Sequence, residues 1–211
     1  MFHRPWCRPC RRHAPLYIFV GALILTGIGF GFILAGALSP EQRLDLASRL
    51  ETYRLELVRP EGAVAAEIFL DSFLFYARWV GLIWLLGITV VGVPGVLALD
   101  FLKGFLMGFT AGLLAREMDG GGLLFALAAL VPHNALAVPA LMVASVSAIR
   151  FAGWVAGERL LRRRGRLLPP LKSHAIASLA MLFPLCGAAL TESCLTPRLL
   201  GRLLAWLAQI A

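Results

Sequence analysis

Residues 16–38 read LYIFVGALILTGIGFGFILAGAL, a run of 23 residues without a charge. As an α-helix this run extends about 34 Å at about 1.5 Å per residue, enough to cross a hydrocarbon core of about 30 Å. A cleaved signal peptide is the rival reading, because Arg4, Arg8, Arg11 and Arg12 precede the run and Ala35-Gly36-Ala37 resembles a small-residue cleavage site. Signal-peptide apolar cores are about 7 to 15 residues long, so an uncleaved span is preferred. The rest of the chain agrees with a lipid solvent. Of 211 residues, 59% are hydrophobic and 15% charged, with mean hydropathy +0.80, against about 45–50% apolar and about 25% charged in a soluble domain. A soluble globule is excluded, and four cysteines are too few for a disulfide scaffold. The expected fold is all-α and polytopic: a basic tail over 1–15, then one membrane domain over 16–211.

Outward from the first span, residues 39–78 form a polar outer loop. It opens with Ser39-Pro40-Glu41, a candidate N-cap followed by a helix-starting proline and an early acid. Within it, Ile68, Phe69, Phe73, Phe75 and Tyr76 interleave with Glu67, Asp71 and Ser72, a pattern suited to the headgroup level. A second span is predicted over 79–99, kinked late by Pro94. A third, short element over 101–115 crosses only if its flanking side chains snorkel. Gly104, Gly108 and Gly112 recur there every fourth residue, a ridge that lets another backbone approach and predicts helix packing. A fourth span over 123–149 is expected to be broken at Pro132 and Pro139. A loop over 150–174, ended by Pro169-Pro170, leads to a fifth span over 175–191. Residues 199–211 are too short to cross and read as an interfacial amphipathic helix with Arg202 and Trp206.

The net charge of +8 is unevenly placed. Four arginines precede the first span, six acids against four arginines fill 39–67, and seven Lys and Arg lie between Arg150 and Lys172. The positive-inside bias therefore puts the N-terminus and the 150–174 loop in the cytoplasm and the 39–78 loop outside. Anionic lipid accounts for the arginine cluster at 162–166, and without interleaved aromatics to stack bases no nucleic acid is expected.

Few residues promise chemistry. His133 and Asn134 lie in an apolar stretch, where a polar group is costly and faces the bundle interior. A proton or ion relay is the sharp interpretation of the pair. A helix break whose freed backbone groups the two side chains satisfy is preferred, because no other ionisable residue falls inside a predicted span; Asp71, Asp100, Asp119 and Glu192 are placed at membrane boundaries. Cys7 and Cys10, flanked by His3 and His13, are weak candidates for zinc and more simply free thiols in a reducing compartment. Cys186 and Cys194 are read as packing residues. The sequence carries no nucleophile elbow, metalloprotease helix or phosphate loop. Neither catalysis nor a cofactor is expected.

Residues 72–114, SFLFYARWVGLIWLLGITVVGVPGVLALDFLKGFLMGFTAGLL, followed by Pro132-His133-Asn134 and Pro139-Ala140, resemble the stage II sporulation protein M family. The motifs are G-L-x-W-x-L-G-x-T-V-x-G-x-P from Gly81 and F-L-K-G-x-x-x-G-F-T-x-G from Phe101. Members of the wider family carry an acid shortly after the Pro-His pair, whereas 135–138 here are apolar. The resemblance implies a polytopic, non-catalytic component of the engulfment machinery of endospore-forming bacteria, seated in the cell membrane at the sporulation septum. It also implies partnership with two peptidoglycan hydrolases, sporulation proteins D and P, which the protein recruits or retains. The outer segment 39–76 is the expected docking surface. A small transport or channel subunit is the alternative, and the glycine ridge leaves a homo-oligomer open.

Overall fold

The structure, a computed structural model, describes residues 8–39, 41–42, 46, 62–89, 92–117, 121–157 and 168–207. Helices account for every element among them: α1 (Arg8–Gly36), α2 (Gly62–Ile88), α3 (Gly92–Glu117), α4 (Gly122–Trp154), α5 (Leu168–Leu190), a π-helical turn (Thr191–Leu195) and α6 (Thr196–Leu207). Five stretches are long and apolar enough to cross a membrane, Ala14–Gly36, Ala65–Ile88, Gly92–Arg116, Gly122–Gly157 and Leu168–Leu203. The all-α, five-helix membrane architecture is therefore as expected, while several boundaries are not.

The largest shift concerns the predicted span over 79–99. Its uncharged run passes straight through a turn: α2 ends at Ile88, and Thr89 and Gly92 close the corner with Thr89 N donating to the Leu86 carbonyl (3.0 Å) and Gly92 N to the Thr89 carbonyl (3.1 Å). Gly92 is required there, since a Cβ would meet the Leu86 carbonyl and Thr89 Oγ1. Pro94 lies in the first turn of α3, where its missing N–H has no intrahelical partner to lose, and kinks no span. Consequently α2 takes in residues 62–78, which the sequence assigns to the outer loop, and the short element over 101–115 becomes the full-length α3.

α4 is continuous from Gly122 to Trp154, with Pro132 and Pro139 inside it, and is not broken. Proline is tolerated in a membrane helix where neighbours and side chains compensate. α4 also runs past 149 into the predicted 150–174 loop, and α5 begins at Leu168, so that Pro169-Pro170 open a helix and do not end one. The fifth span does not stop at 191: α5 continues through the π turn into α6, which starts at Thr196 and carries exposed Arg202 and Trp206. Residues 1–7 and 208–211 and the arginine cluster at 162–166 lie outside the described residues.

Packing follows from residue size. α1 lies along α3 in the most extensive helix contact, and α4 is central, touching every other helix. The main core joins Tyr76, Trp79, Val80 and Ile83 of α2 to Ala137, Ala140, Ala144 and Ala148 of α4, with Leu185, Ala188 and Ala189 of α5. Alanine at these positions brings the backbones close, which is how membrane helices gain dispersion energy where lipid supplies no hydrophobic drive. Large apolar side chains such as Ile18, Leu25, Leu179 and Phe183 (86% exposed) cover the outside, as a lipid-facing surface requires.

Candidate functional site

The new boundaries move three charged residues into the bundle. α3 starts at Gly92, so Asp100 and Lys103 fall in its middle, one helical turn apart, at 2% and 8% exposure. The π turn carries Glu192 inside the fifth stretch. The expectation that no ionisable residue besides His133 lies within a span is thus corrected, and with it the placement of Asp100 and Glu192 at membrane boundaries. The uncharged run 79–99 is shared between two helices, α2 and α3, so its charge pattern does not mark the helix start. A readable signal existed, because Pro94 favours a helix start and a helix from there buries Asp100 and Lys103.

These side chains converge from four directions. Lys103 Nζ lies over the Tyr76 ring (5.4 Å) and the Phe75 ring (5.9 Å) of α2, an arrangement that steadies a cation withdrawn from water. Tyr76 donates its hydroxyl to Glu192 Oε2 at 3.2 Å. Glu192 lies close enough to Lys103 and to His133 to act on both electrostatically. On α4, Asn134 Nδ2 donates to the Leu130 carbonyl (2.9 Å) and lies 2.8 Å from His133 Nε2. Pro132 leaves the Ala128 carbonyl without its helical donor, and the Asn134 side chain bonds the Leu130 carbonyl and not that one. Toward the other end of α4, Ser145 donates to Asp100 Oδ1 at 2.7 Å. Of this group, among the described residues, Asp100 Oδ2, His133 Nδ1 and Asn134 Oδ1 have no hydrogen-bond partner. Moving a carboxylate and an ammonium out of water costs several kcal/mol each, so charges so placed need partners or a use.

A second polar pair stands apart: Ser147 Oγ lies 3.0 Å from His174 Nδ1, and the His174 ring stacks on Phe151 at 5.5 Å. Gly87 leaves room for it, since a Cβ there would meet His174 Nε2 and Ala148.

The structure places Gly104, Gly108 and Gly112 against α1. A Cβ at Gly104 would strike the Ile24 carbonyl, one at Gly108 the Ile28 carbonyl, and one at Gly112 Ala35 Cβ at 2.7 Å. Gly27 and Gly31 answer from α1, where a Cβ would strike the Phe101 and Phe105 carbonyls. That reciprocal pair, a second small-x-x-x-small repeat, faces the ridge from α1. Arg116 finishes the contact, donating to the Gly112 carbonyl (3.0 Å) with its guanidinium 5.2 Å from the Phe32 ring.

Cys7 lies outside the described residues, as does the Cys10 side chain. Cys186 is half-buried and Cys194 exposed, both as free thiols. Among the described residues no group of three His, Cys, Asp or Glu could hold a metal ion. Ser39 and Gln42 form a capping box, with Ser39 N donating to Gln42 Oε1 (3.1 Å) and Gln42 N to Ser39 Oγ (3.4 Å).

Compared with known families, residues 20–197 match the model described as stage II sporulation protein M, which covers most of the chain. No curated protein and no solved structure matches.

Proposed function

The chain belongs to the stage II sporulation protein M family, a family of sporulation membrane proteins, and from that premise we propose that it is a non-catalytic component of the engulfment machinery. In this reading it recruits and retains the peptidoglycan hydrolases, sporulation proteins D and P, at the septum while the mother-cell membrane moves around the forespore. The family match over 20–197 is the observation that carries it. The N-terminus and the arginines at 162–166 face the cytoplasm, in keeping with the positive-inside bias. The segment joining α1 to α2 then faces the wall. Ser39 and Gln42 cap a helix at its start, and exposed Glu67 and Asp71 lie near the beginning of α2. With 62–76 absorbed into α2, the docking surface shortens from 39–76 to about 39–61 and that helix start.

Co-purification from sporulating cells tests the proposal. The tagged protein, extracted in mild detergent, is expected to retain at least one of the two hydrolases. A preparation that carries neither, while the protein itself is intact and at the septum, removes this reading.

A further inference from the structure

A scaffold has no need of buried charge, yet Asp100, Lys103 and His133 are buried and Glu192 half-buried within stretches long enough to span. Asn134 and Ser145 lie eleven residues apart on α4, three turns on one face and about 16 Å along the axis, roughly half of the hydrocarbon thickness. The two residues mark the ends of a single row. At one end are His133, Asn134 and Glu192; Tyr76 and Lys103 lie between; Asp100 with Ser145 closes the other. Glu192 is presented by a π turn, an irregularity that recurs at functional sites. The groups facing Glu192 are Tyr76 from α2, Lys103 from α3 and His133 from α4, while Arg198 on α6 is exposed.

We propose that this row is a proton-transfer site through which protons cross the helix bundle. The components have separable roles. The Lys103 ammonium is the fixed counter-charge that makes a carboxylate tolerable in lipid. Glu192, held by the Tyr76 hydroxyl, is the central exchanging group: through a bridging water its carboxylate takes a proton from the His133 imidazolium, whose Nδ1 has no protein partner among the described residues, to give a carboxyl and a neutral imidazole, and the reverse step returns it. Asp100, with Oδ2 unpartnered among the described residues, is the acceptor at the far end. Only O–H and N–H bonds form and break, so no oxidant or second substrate is needed. Lys103 and Asp100 are buried, and a proton is the cargo that exchange of O–H and N–H bonds passes.

The full chain reconstituted in liposomes with an internal pH dye, driven by a potassium diffusion potential, gives the test. Wild type is expected to acidify the interior faster than protein-free vesicles, Glu192→Gln to fall to the protein-free rate, and Glu192→Asp to keep part of the flux. Wild-type flux equal to that of protein-free vesicles overturns the proposal, as does a flux that Glu192→Gln leaves unchanged. Should Glu192→Gln fail to fold, dicyclohexylcarbodiimide on wild type replaces it, because this reagent attacks protonated carboxyls in apolar surroundings. Block of flux with the adduct on Glu192 or Asp100, the two carboxyls of the row, supports the relay, and flux that persists, or a block with the adduct on neither, overturns it. No hydrolase is present in the assay, so its failure leaves the engulfment reading standing.

Discussion

Glycine 108 shows how one hydrogen atom decides a helix contact. The Ile28 carbonyl of α1 occupies the place where its Cβ would stand, and backbone cannot step aside as a flexible side chain can. Gly108→Leu is therefore expected to destabilise the chain in detergent by at least about 3 kcal/mol, the upper end of overpacking costs. Gly81→Ala is the comparison, because nothing lies within 4 Å of its Cβ position, and its melting temperature should stay at the wild-type value. A Gly108→Leu melt equal to wild type would mean that α1 and α3 do not meet as described. The ridge was legible because a four-residue repeat shows in the sequence itself. Asp100 and Lys103 were not legible in the same way, since a charge at a boundary and a charge in the interior look alike until the helix start is known.

At the scale of elements, hydropathy locates apolar runs and turns locate helices, and the two part company inside a membrane protein. α1 was legible because arginines precede its run and Ser39-Pro40 follow it. The corner between α2 and α3 was hidden because Thr89, Gly92 and Pro94 interrupt no hydropathy, so one run of 21 uncharged residues from 79 to 99 straddles two helices. α4 erred the other way, its prolines suggesting breaks that the central position of the helix absorbs. The corner makes a sharp prediction. Gly92→Val should lower stability by about 1–3 kcal/mol through collision with Leu86 and Thr89, whereas Pro94→Ala, in the first turn of α3, should change it by less than about 1 kcal/mol. Thermal unfolding followed by circular dichroism separates them, and the opposite order would return Pro94 to the middle of a single span.

Across the whole molecule, a lipid-facing shell encloses a bundle organised by two devices: a glycine contact that fixes α1 on α3, and a polar row that ties α2, α3, α4 and the π turn together. The shell and the number of crossings were readable from composition. The polar row was not, because it exists only once four separate helices are set side by side. Among the described residues, both devices lie within the helices and not in the segment between α1 and α2. The engulfment reading rests on that segment, so it can be removed while the bundle stays whole. Deleting residues 41–61 and following fluorescent fusions of sporulation proteins D and P in sporulating cells tests it most directly. The expected result is a full-length level of the deleted protein in the membrane with both hydrolases dispersed away from the septum; hydrolases that still gather there would contradict the account.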